Sequence, residues 1–496
     1  MKFELTKAKN GMDTCLFDGH FFHSYYDPEK EAREFVKKIQ SGFQPEWIFV
    51  IEPGLSYCAG ELRKTFPNSK ICAIRISPFF AETNFLWDRV FNFYEGETGN
   101  RILFSVGDEG LLSSVTVSWT GAKSVFKKEN DIIWKEILDS SKKAASMLYT
   151  RNGFSKKWFL NTINFLVKIK NTAFFLRKTE KEVLICASGP SLLHSLPYIK
   201  KFRKNFFIIC LSSALSVLVQ EKIIPDLTLS TDGGFWAKFH LQKLSSPLAL
   251  SCEGNALHSN FSEFPVLPLV YPESMGEFLF KNLNIPFFYA RRNGTVSGTA
   301  LEFAMQITEK NIYFCGLDLS PSSSFQHAEP NELEKYSSKN DFRLSTKETR
   351  LTSSRFNSAS SLTIYRNWFS ENSSLFSDRV FRLSAKKYSS SLGNIKDLTW
   401  EDLDFPSDIN KKTDKESLFI QKTISINEKK LMNAVLLLEQ QDFFLREVFP
   451  VESIMLKRAS TTDQKDEIYK KINKSLAEIN AKVKNIICSH QKHPSA

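Results

Sequence analysis

Residues 183–192 read Val-Leu-Ile-Cys-Ala-Ser-Gly-Pro-Ser-Leu: a short apolar run, a small polar bend, and the start of a helical stretch. A strand of a parallel sheet is covered on both faces, so it reads as an unbroken apolar run instead of an alternation. Val183–Cys186 fits that description, SGPS supplies the turn, and Leu192–Phe202 reads as a helix with Pro197 marking an irregularity. The same strand-turn-helix order repeats downstream. Phe206–Leu211, Leu227–Thr231, Leu248–Ser251 and Ile312–Cys315 read as strands, and Ser213–Gln220 and Ser297–Ile307 as helices. Such repetition predicts an α/β fold with a doubly wound, mostly parallel, Rossmann-like sheet, whose ligands bind beyond the carboxyl ends of the strands.

Working outward, the apolar run within Glu46–Glu52, the break at Pro53-Gly54, a helical Ala59–Phe66 and the apolar Ile71–Ile76 form another βαβ pattern near the start of the chain. Asn130 to Phe175 carries apolar residues at helical spacing and reads as helices. Ser320–Ser361 is rich in Ser and charge and lacks aliphatic periodicity, as in a lid or a disordered insertion. From about Lys415 the pattern reads as helix only, with Ile420, Ile424, Leu431, Val435 and Leu438 on one face. The expected organisation is an N-terminal α/β domain over residues 1–150, a central domain over 151–400 with a lid at about 320–361, and a C-terminal helical domain over 401–496.

The 496 residues, 42% hydrophobic and 24% charged, exclude a disulfide-stapled miniature, wholesale disorder and an integral membrane protein. A net charge of +11 favours a phosphate-bearing or acidic partner. It is spread thinly, without a basic arm interleaved with aromatics, so nucleotide is the better expectation than nucleic acid. The eight cysteines are dispersed, with no CxxC pair, and read as free thiols of a reducing compartment. With no signal sequence and no long apolar span, the expected location is the cytoplasm.

At the strand ends, Ser188 and Gly189 turn the chain, Gly189 admits close approach of a ligand, and Ser191 can cap the next helix while its N–H groups face a phosphate. A strand followed by GPS is also an ordinary tight turn. Asp232 stands after the third strand beside Gly233 and Gly234, as a ligand contact or as a cap satisfying backbone donors. Arg291–Thr299 is a polar loop entering a helix, and Phe314–Ser320 brings Asp318 to a further strand end. His327 is the one histidine of the lid, and imidazole is suited to proton transfer near neutrality, although a lone exposed histidine is ordinarily silent.

The segments ICASGPSL, IPDLTLSTDGG, NGTVSGTALEFAMQ with IYFCGLDLS, and FQHA, in this order over Lys181 to about His327, resemble the motility-associated factor (Maf) glycosyltransferases. The central domain of that family is MptE-like and is similar to bacterial CMP-sialic acid sialyltransferases. FRLSAKKYSSSLGNIKDL carries a weaker likeness. The resemblance implies transfer of a nonulosonic acid, of pseudaminic or legionaminic type, from its CMP-activated form to Ser or Thr of flagellin. By position it assigns the CMP-sugar to Ser188, Gly189, Pro190, Ser191, Ser212, Asp232 and Gly233, with Ser297 and Gly298 facing the sugar carboxylate and Asp318 and Ser320 at the same rim. His327 and Asp232 become the catalytic candidates.

The chain departs from the sialyltransferases in having Ser188 and Ser212 where they have Asn. No clear match to their phosphate-stabilising tyrosines is found, and no histidine lies between His327 and His490. No cofactor and no protein-bound metal are expected, with Mg²⁺ left open. The alternatives are a pterin pyrophosphokinase using ATP, with Mg²⁺ on Asp226, Asp232 and Asp318, and a non-catalytic flagellin-binding chaperone.

Overall fold

Trp47–Ile51 is buried at every position, as expected of a strand flanked on both sides and covered on both faces. In the computed structural model, it lies at the heart of the first of two units, formed by Met1–Lys156 and Asp442–Ile479. The structure describes residues 2–39, 42–97, 99–175, 177–320, 327–352, 360–376, 378–386, 388, 390–403 and 418–492. This unit opens with an antiparallel sheet of β1 (Phe3–Lys7), β2 (Asp13–Phe17) and β3 (His20–Phe21). A parallel sheet follows, made of β4 (Trp47–Ile51), β5 (Lys70–Arg75), β6 (Arg89–Asn92) and β7 (Ser114–Ser118) in the order β6-β5-β4-β7.

The second unit, Lys157–Gln441 with Asn480–Ala496, holds an 11-stranded sheet. Its strands are β8 (Asn171–Phe175), β9 (Glu182–Cys186), β10 (Phe206–Leu211), β11 (Leu227–Ser230), β12 (Leu248–Ser251), β13 (Val266–Val270), β14 (Phe288–Tyr289), β15 (Ile312–Cys315), β16 (Val380–Ser384), β17 (Lys396–Thr399) and β18 (Phe419–Thr423). The order is β17-β16-β15-β9-β10-β11-β12-β13-β8-β18, with β14 beside β13. All pairings are parallel except that of β18 with β8. The doubly wound, mostly parallel sheet expected from the sequence is thus present. From β9 the chain winds through β10 to β13 on one side, then returns to lay β15 on the other. The topological switch point, where such sheets open a crevice, lies between the carboxyl ends of β9 and β15.

Two stretches differ from the helical reading. The helix that begins at Lys127 ends at Lys168, and Asn171–Phe175 is strand β8. Phe419–Thr423 pairs with it as β18 in place of helix. Both are five-residue runs whose aromatic rings pack together, Phe175 and Phe419 lying 4.5 Å apart, so sheet pairing outweighs helical spacing. The helices after residue 401 divide between the units, Glu428–Glu439 in the second and Asp442–Val448 and Pro450–Arg458 in the first. Of the lid, residues 327–352 are described and form Glu332–Ser337, Ser338–Asn340 and Lys347–Thr352 as short helices. Its segments 321–326 and 353–359 lie outside the described residues.

Seven cysteines are buried, Cys488 is exposed, and all are free thiols. Among the described residues no helix is long and apolar enough to cross a membrane.

Candidate functional site

The bend after β9 packs directly on the bend after β15. Ala187 N–H donates to Cys315 O and Gly189 N–H to Gly316 O, both at 2.8 Å. A Cβ at Gly189 would collide with the Asp318 carboxyl group and the Gly316 carbonyl. Gly316 itself has φ +69° and lies against the Ala187 carbonyl, a conformation and an approach that both exclude a side chain. The glycines therefore let two strand ends meet at the switch point.

At that junction Ser191 N–H donates to Asp318 Oδ2 at 3.1 Å. From sequence, the helix N–H groups are expected to face a phosphate, with the Ser191 hydroxyl as cap. Instead the Asp318 carboxylate stands at the helix start, and Ser191 makes no side-chain cap. Its hydroxyl reaches Tyr388 Oη at 3.4 Å. Burial raises the Asp318 carboxyl above its usual range, opposed by the Ser191 bonds. A helix N-terminus favours negative charge whatever its source, so any ligand phosphate here must share the position with Asp318 or displace it.

Arg382 anchors the surrounding loop. It is fully buried, forms a two-pronged pair with Asp397 at 2.7 and 2.8 Å, and donates to the carbonyl oxygens of Leu317 and Ser390. Its guanidinium lies 3.8 Å from the centre of the Tyr388 ring, and Ser390 Oγ donates to the Asp318 carbonyl at 3.1 Å. Arg382, Tyr388 and Ser390 thus frame the strand end that carries Asp318.

On the other flank, Ser213 Oγ donates to Ser188 Oγ at 2.8 Å, and Ser188 Oγ lies 2.8 Å from His327 Nδ1. Ala328 N–H donates to the Ser188 carbonyl at 2.6 Å. The lid is held further by Asn331 on the Ser213 carbonyl and by Ser216 donating to Glu332 at 2.9 Å. His327 is half-buried and bonded, not the isolated exposed histidine of the sequence reading. Burial, with His240 as a second cause, pushes its imidazole down to about 4, so it is neutral at physiological pH. A neutral ring carries one hydrogen, and the Ser188 contact decides which nitrogen keeps the lone pair.

Asp232 is exposed after β11, with Oδ1 accepting from Gly234 N–H at 2.7 Å. It accepts one backbone N–H without capping a helix, since the next helical turn starts at Ala237, and it stays at the carboxyl rim. Its charge raises Tyr365 in addition to burial and opposes the lowering of His240 by burial. Asp232, His240 and Tyr365 therefore share one electrostatic neighbourhood, which His240 extends to His327. Gly233 packs against Trp158 and the Glu253 carbonyl, leaving no open space on that side.

Ser297 and Gly298 occupy the first turn of Val296–Ile307, both buried, and a Cβ on Gly298 would come 3.0 Å from the Trp368 ring. Gly298 thus has a packing role against a neighbouring helix. Ser212 opens the short helical turn Ser212–Ala214, but Ser213 makes the hydroxyl contact with Ser188. Pro190 and Ser320 continue the two bends.

Asp226 sits at the opposite end of the strand from Asp232, holding Ile208 N–H at 2.7 Å and Arg203 at 3.0 Å. β11 lies between them, so at about 3.3 Å per residue Asp226 cannot join Asp232 and Asp318 around one Mg²⁺. Among the described residues no group of three metal-ligating side chains is found. Ser213, Tyr365, Tyr388 and Ser390 were missed from the sequence. Tyr388 lay within a segment of weak likeness, and the only signal was its position just past a strand.

Comparison with known proteins agrees with this architecture. Residues 157–324 match the family model described as 6-hydroxymethylpterin diphosphokinase MptE-like. An uncharacterized protein of Treponema pallidum (strain Nichols) is 31% identical over 304 residues, covering 60% of this chain and 65% of the relative's own length. The structure of a Maf glycosyltransferase from Magnetospirillum magneticum AMB-1 superposes with a TM-score of 0.58 at 12% identity, covering 100% of this chain and 93% of that one. The Maf and MptE-like resemblance of the sequence is thereby supported, and the fold is shared.

Proposed function

We propose that this chain is a cytoplasmic glycosyltransferase that moves a nonulosonic acid from its CMP-activated form to Ser or Thr hydroxyls of flagellin. The observation that carries this reading is the convergence of Ser188, Ser191, Asp318 and the lid residue His327 on the switch point of a doubly wound sheet, where such folds take their ligands. The free, buried thiols suit a reducing compartment.

In this mechanism the donor lies across the ends of β9, β11 and β15, with Ser188, Ser191 and Asp232 contacting the cytidine monophosphate and the first turn of Val296–Ile307 toward the sugar carboxylate. His327, with its hydrogen on Nδ1 donated to Ser188, keeps the lone pair on Nε2 and takes the acceptor proton. The acceptor oxygen bonds to the anomeric carbon as the bond from that carbon to the phosphate oxygen breaks, and CMP leaves with the electron pair. Ser188 and Ser191 hydroxyls and nearby N–H groups stabilise the charge on the leaving phosphate. Protonation of Asp318, favoured by its burial, would lower repulsion of that phosphate.

A pterin diphosphokinase reading draws on the description of the matching family, but the three carboxylates considered for its Mg²⁺ do not form one site. The test is product analysis with flagellin and either CMP-nonulosonic acid or ATP plus hydroxymethylpterin. CMP release with a mass increase on flagellin supports the transferase, whereas AMP release supports the kinase. Flagellin binding without release of either nucleotide would point to the chaperone.

A further inference from the structure

The loop after Gly233-Gly234 exposes rings where a soluble surface ordinarily hides them. Phe235 is 52% and Trp236 46% exposed. Trp236 lies 5.3 Å from Phe235 and 5.5 Å from Phe239. The lid joins this cluster through Tyr336, whose ring is 5.3 Å from Trp236 and 4.8 Å from Phe239. The group therefore bridges the carboxyl rim of β11, three residues after Asp232, and the helix Glu332–Ser337 that carries Tyr336. Phe235 and Trp236 are exposed while Phe239 and Tyr336 are half-buried beneath them, so the rings form one contiguous cluster that opens to solvent, the kind of apolar surface that marks a binding site.

The rings are inclined to one another, at 84° for Phe235 with Trp236 and 50° for Trp236 with Tyr336, so they make a ridged surface and not a flat platform. Two ring faces are already covered by ammonium groups: Lys238 Nζ stands 4.3 Å from the centre of Phe235, and Lys339 Nζ 4.8 Å from that of Tyr336. A sugar ring stacks on open aromatic faces. Ridges edged by lysines instead suit apolar side chains interspersed with carboxylates, the arrangement of a polypeptide interface with an aromatic core and a charged rim.

We propose that Phe235, Trp236, Phe239 and Tyr336, with Lys238 and Lys339, form the docking surface for a polypeptide acceptor whose hydroxyl is flanked by acidic and apolar residues. The proposal rests on the transferase reading and extends it to the acceptor. Docking here delivers the hydroxyl next to Asp232 and lets the same segment press on the lid that carries His327.

The test uses the full-length protein on an array of 15-residue peptides centred on Ser or Thr, with flanks drawn from Asp, Lys, Leu and Gly. Melting temperature controls for folding, and CMP affinity is measured separately. The wild type is expected to retain peptides flanked by Asp and Leu at least tenfold better than those flanked by Lys. Phe235→Ala with Trp236→Ala should lose that retention at an unchanged melting temperature, and Lys238→Glu with Lys339→Glu should move the preference to Lys-flanked peptides. Retention that ignores flanking charge, or that survives both double variants, overturns the surface. Binding of free oligosaccharide in place of peptide overturns the choice of occupant. If CMP does not bind while the Asp-flanked peptides are retained as described, the donor reading fails and the docking surface stands.

Discussion

Across 139 residues of chain, His327 Nδ1 meets Ser188 Oγ at 2.8 Å. One comes from the lid segment and the other from the bend after β9, so this contact joins two parts of the proposed site that lie far apart in the sequence. His327→Ala should lower transfer by about 10²- to 10⁴-fold, the range for loss of a general base, while leaving CMP affinity within a few-fold of wild type. Initial rates of CMP release beside calorimetric titration check it. An unchanged rate would move the base elsewhere.

The same histidine sets an acid limit. Its imidazole is held down to about 4 by burial, so the neutral, proton-accepting form persists well below the ordinary histidine range. The rate of transfer should stay flat from pH 8 to about pH 5 and fall by half near pH 4. A half-point near 6.5 in the pH profile of kcat would contradict the role given to His327.

Asp318 occupies the helix start that a phosphate would use, hydrogen-bonded to Ser191 N–H. Asp318→Asn keeps an acceptor of the same shape and removes the negative charge, so CMP should bind several-fold more tightly at neutral pH. The wild type should gain affinity on acidification as the raised Asp318 carboxyl takes up its proton. Gly189→Ala, by forcing a methyl group into that carboxyl, should cost about 1–3 kcal/mol of stability and weaken CMP binding. Calorimetry and chemical unfolding measure both. Weaker binding by Asp318→Asn would mean that the phosphate sits away from this bend.

In the first unit His23 is buried, accepts from Leu55 N–H at 2.9 Å, and is pushed down to about 3 by burial and by the positive charge of Arg75. An unfolded imidazole takes up its proton near 6.5, whereas the folded one stays neutral until about 3. Between those values the unfolded state binds more protons, so stability falls as pH drops, by up to about 1.4 kcal/mol per pH unit. The carboxyls of half-buried Glu31 and buried Glu52 are raised, chiefly by desolvation, and act in the opposite sense. Comparing His23→Asn with wild type in urea at pH 7 and pH 5 isolates the histidine: the wild type should lose more stability than the variant. Equal losses would remove His23 from the acid response.

Much of the fold was legible because parallel strands are chemically conspicuous. Val183–Cys186 and Phe206–Leu211 are unbroken apolar runs bounded by polar bends, and both are strands. Asn171–Phe175 and Phe419–Thr423 were not recognised because each is short and follows or precedes helical spacing, and it is tertiary pairing, of the first with β13 and of the two with each other, that makes them sheet. In the site, the bends after β9 and β15 could be located from glycine and terminal acid alone. Their mutual bonds could not, since Gly189 meeting Gly316 and Asp318 meeting Ser191 depend on strand order. Tyr336 belongs to a stretch that reads as polar lid, and its place among Phe239 and Trp236 arises only from tertiary packing.

A crystal structure of the chain with CMP decides whether the nucleotide occupies the switch point. The nucleotide is expected across the carboxyl ends of β9, β11 and β15, with its phosphate within hydrogen-bond reach of Ser188 or Ser191 and the Asp318 side chain turned aside. CMP bound at any other place on the chain, or a switch point left unchanged at saturating CMP, would contradict it.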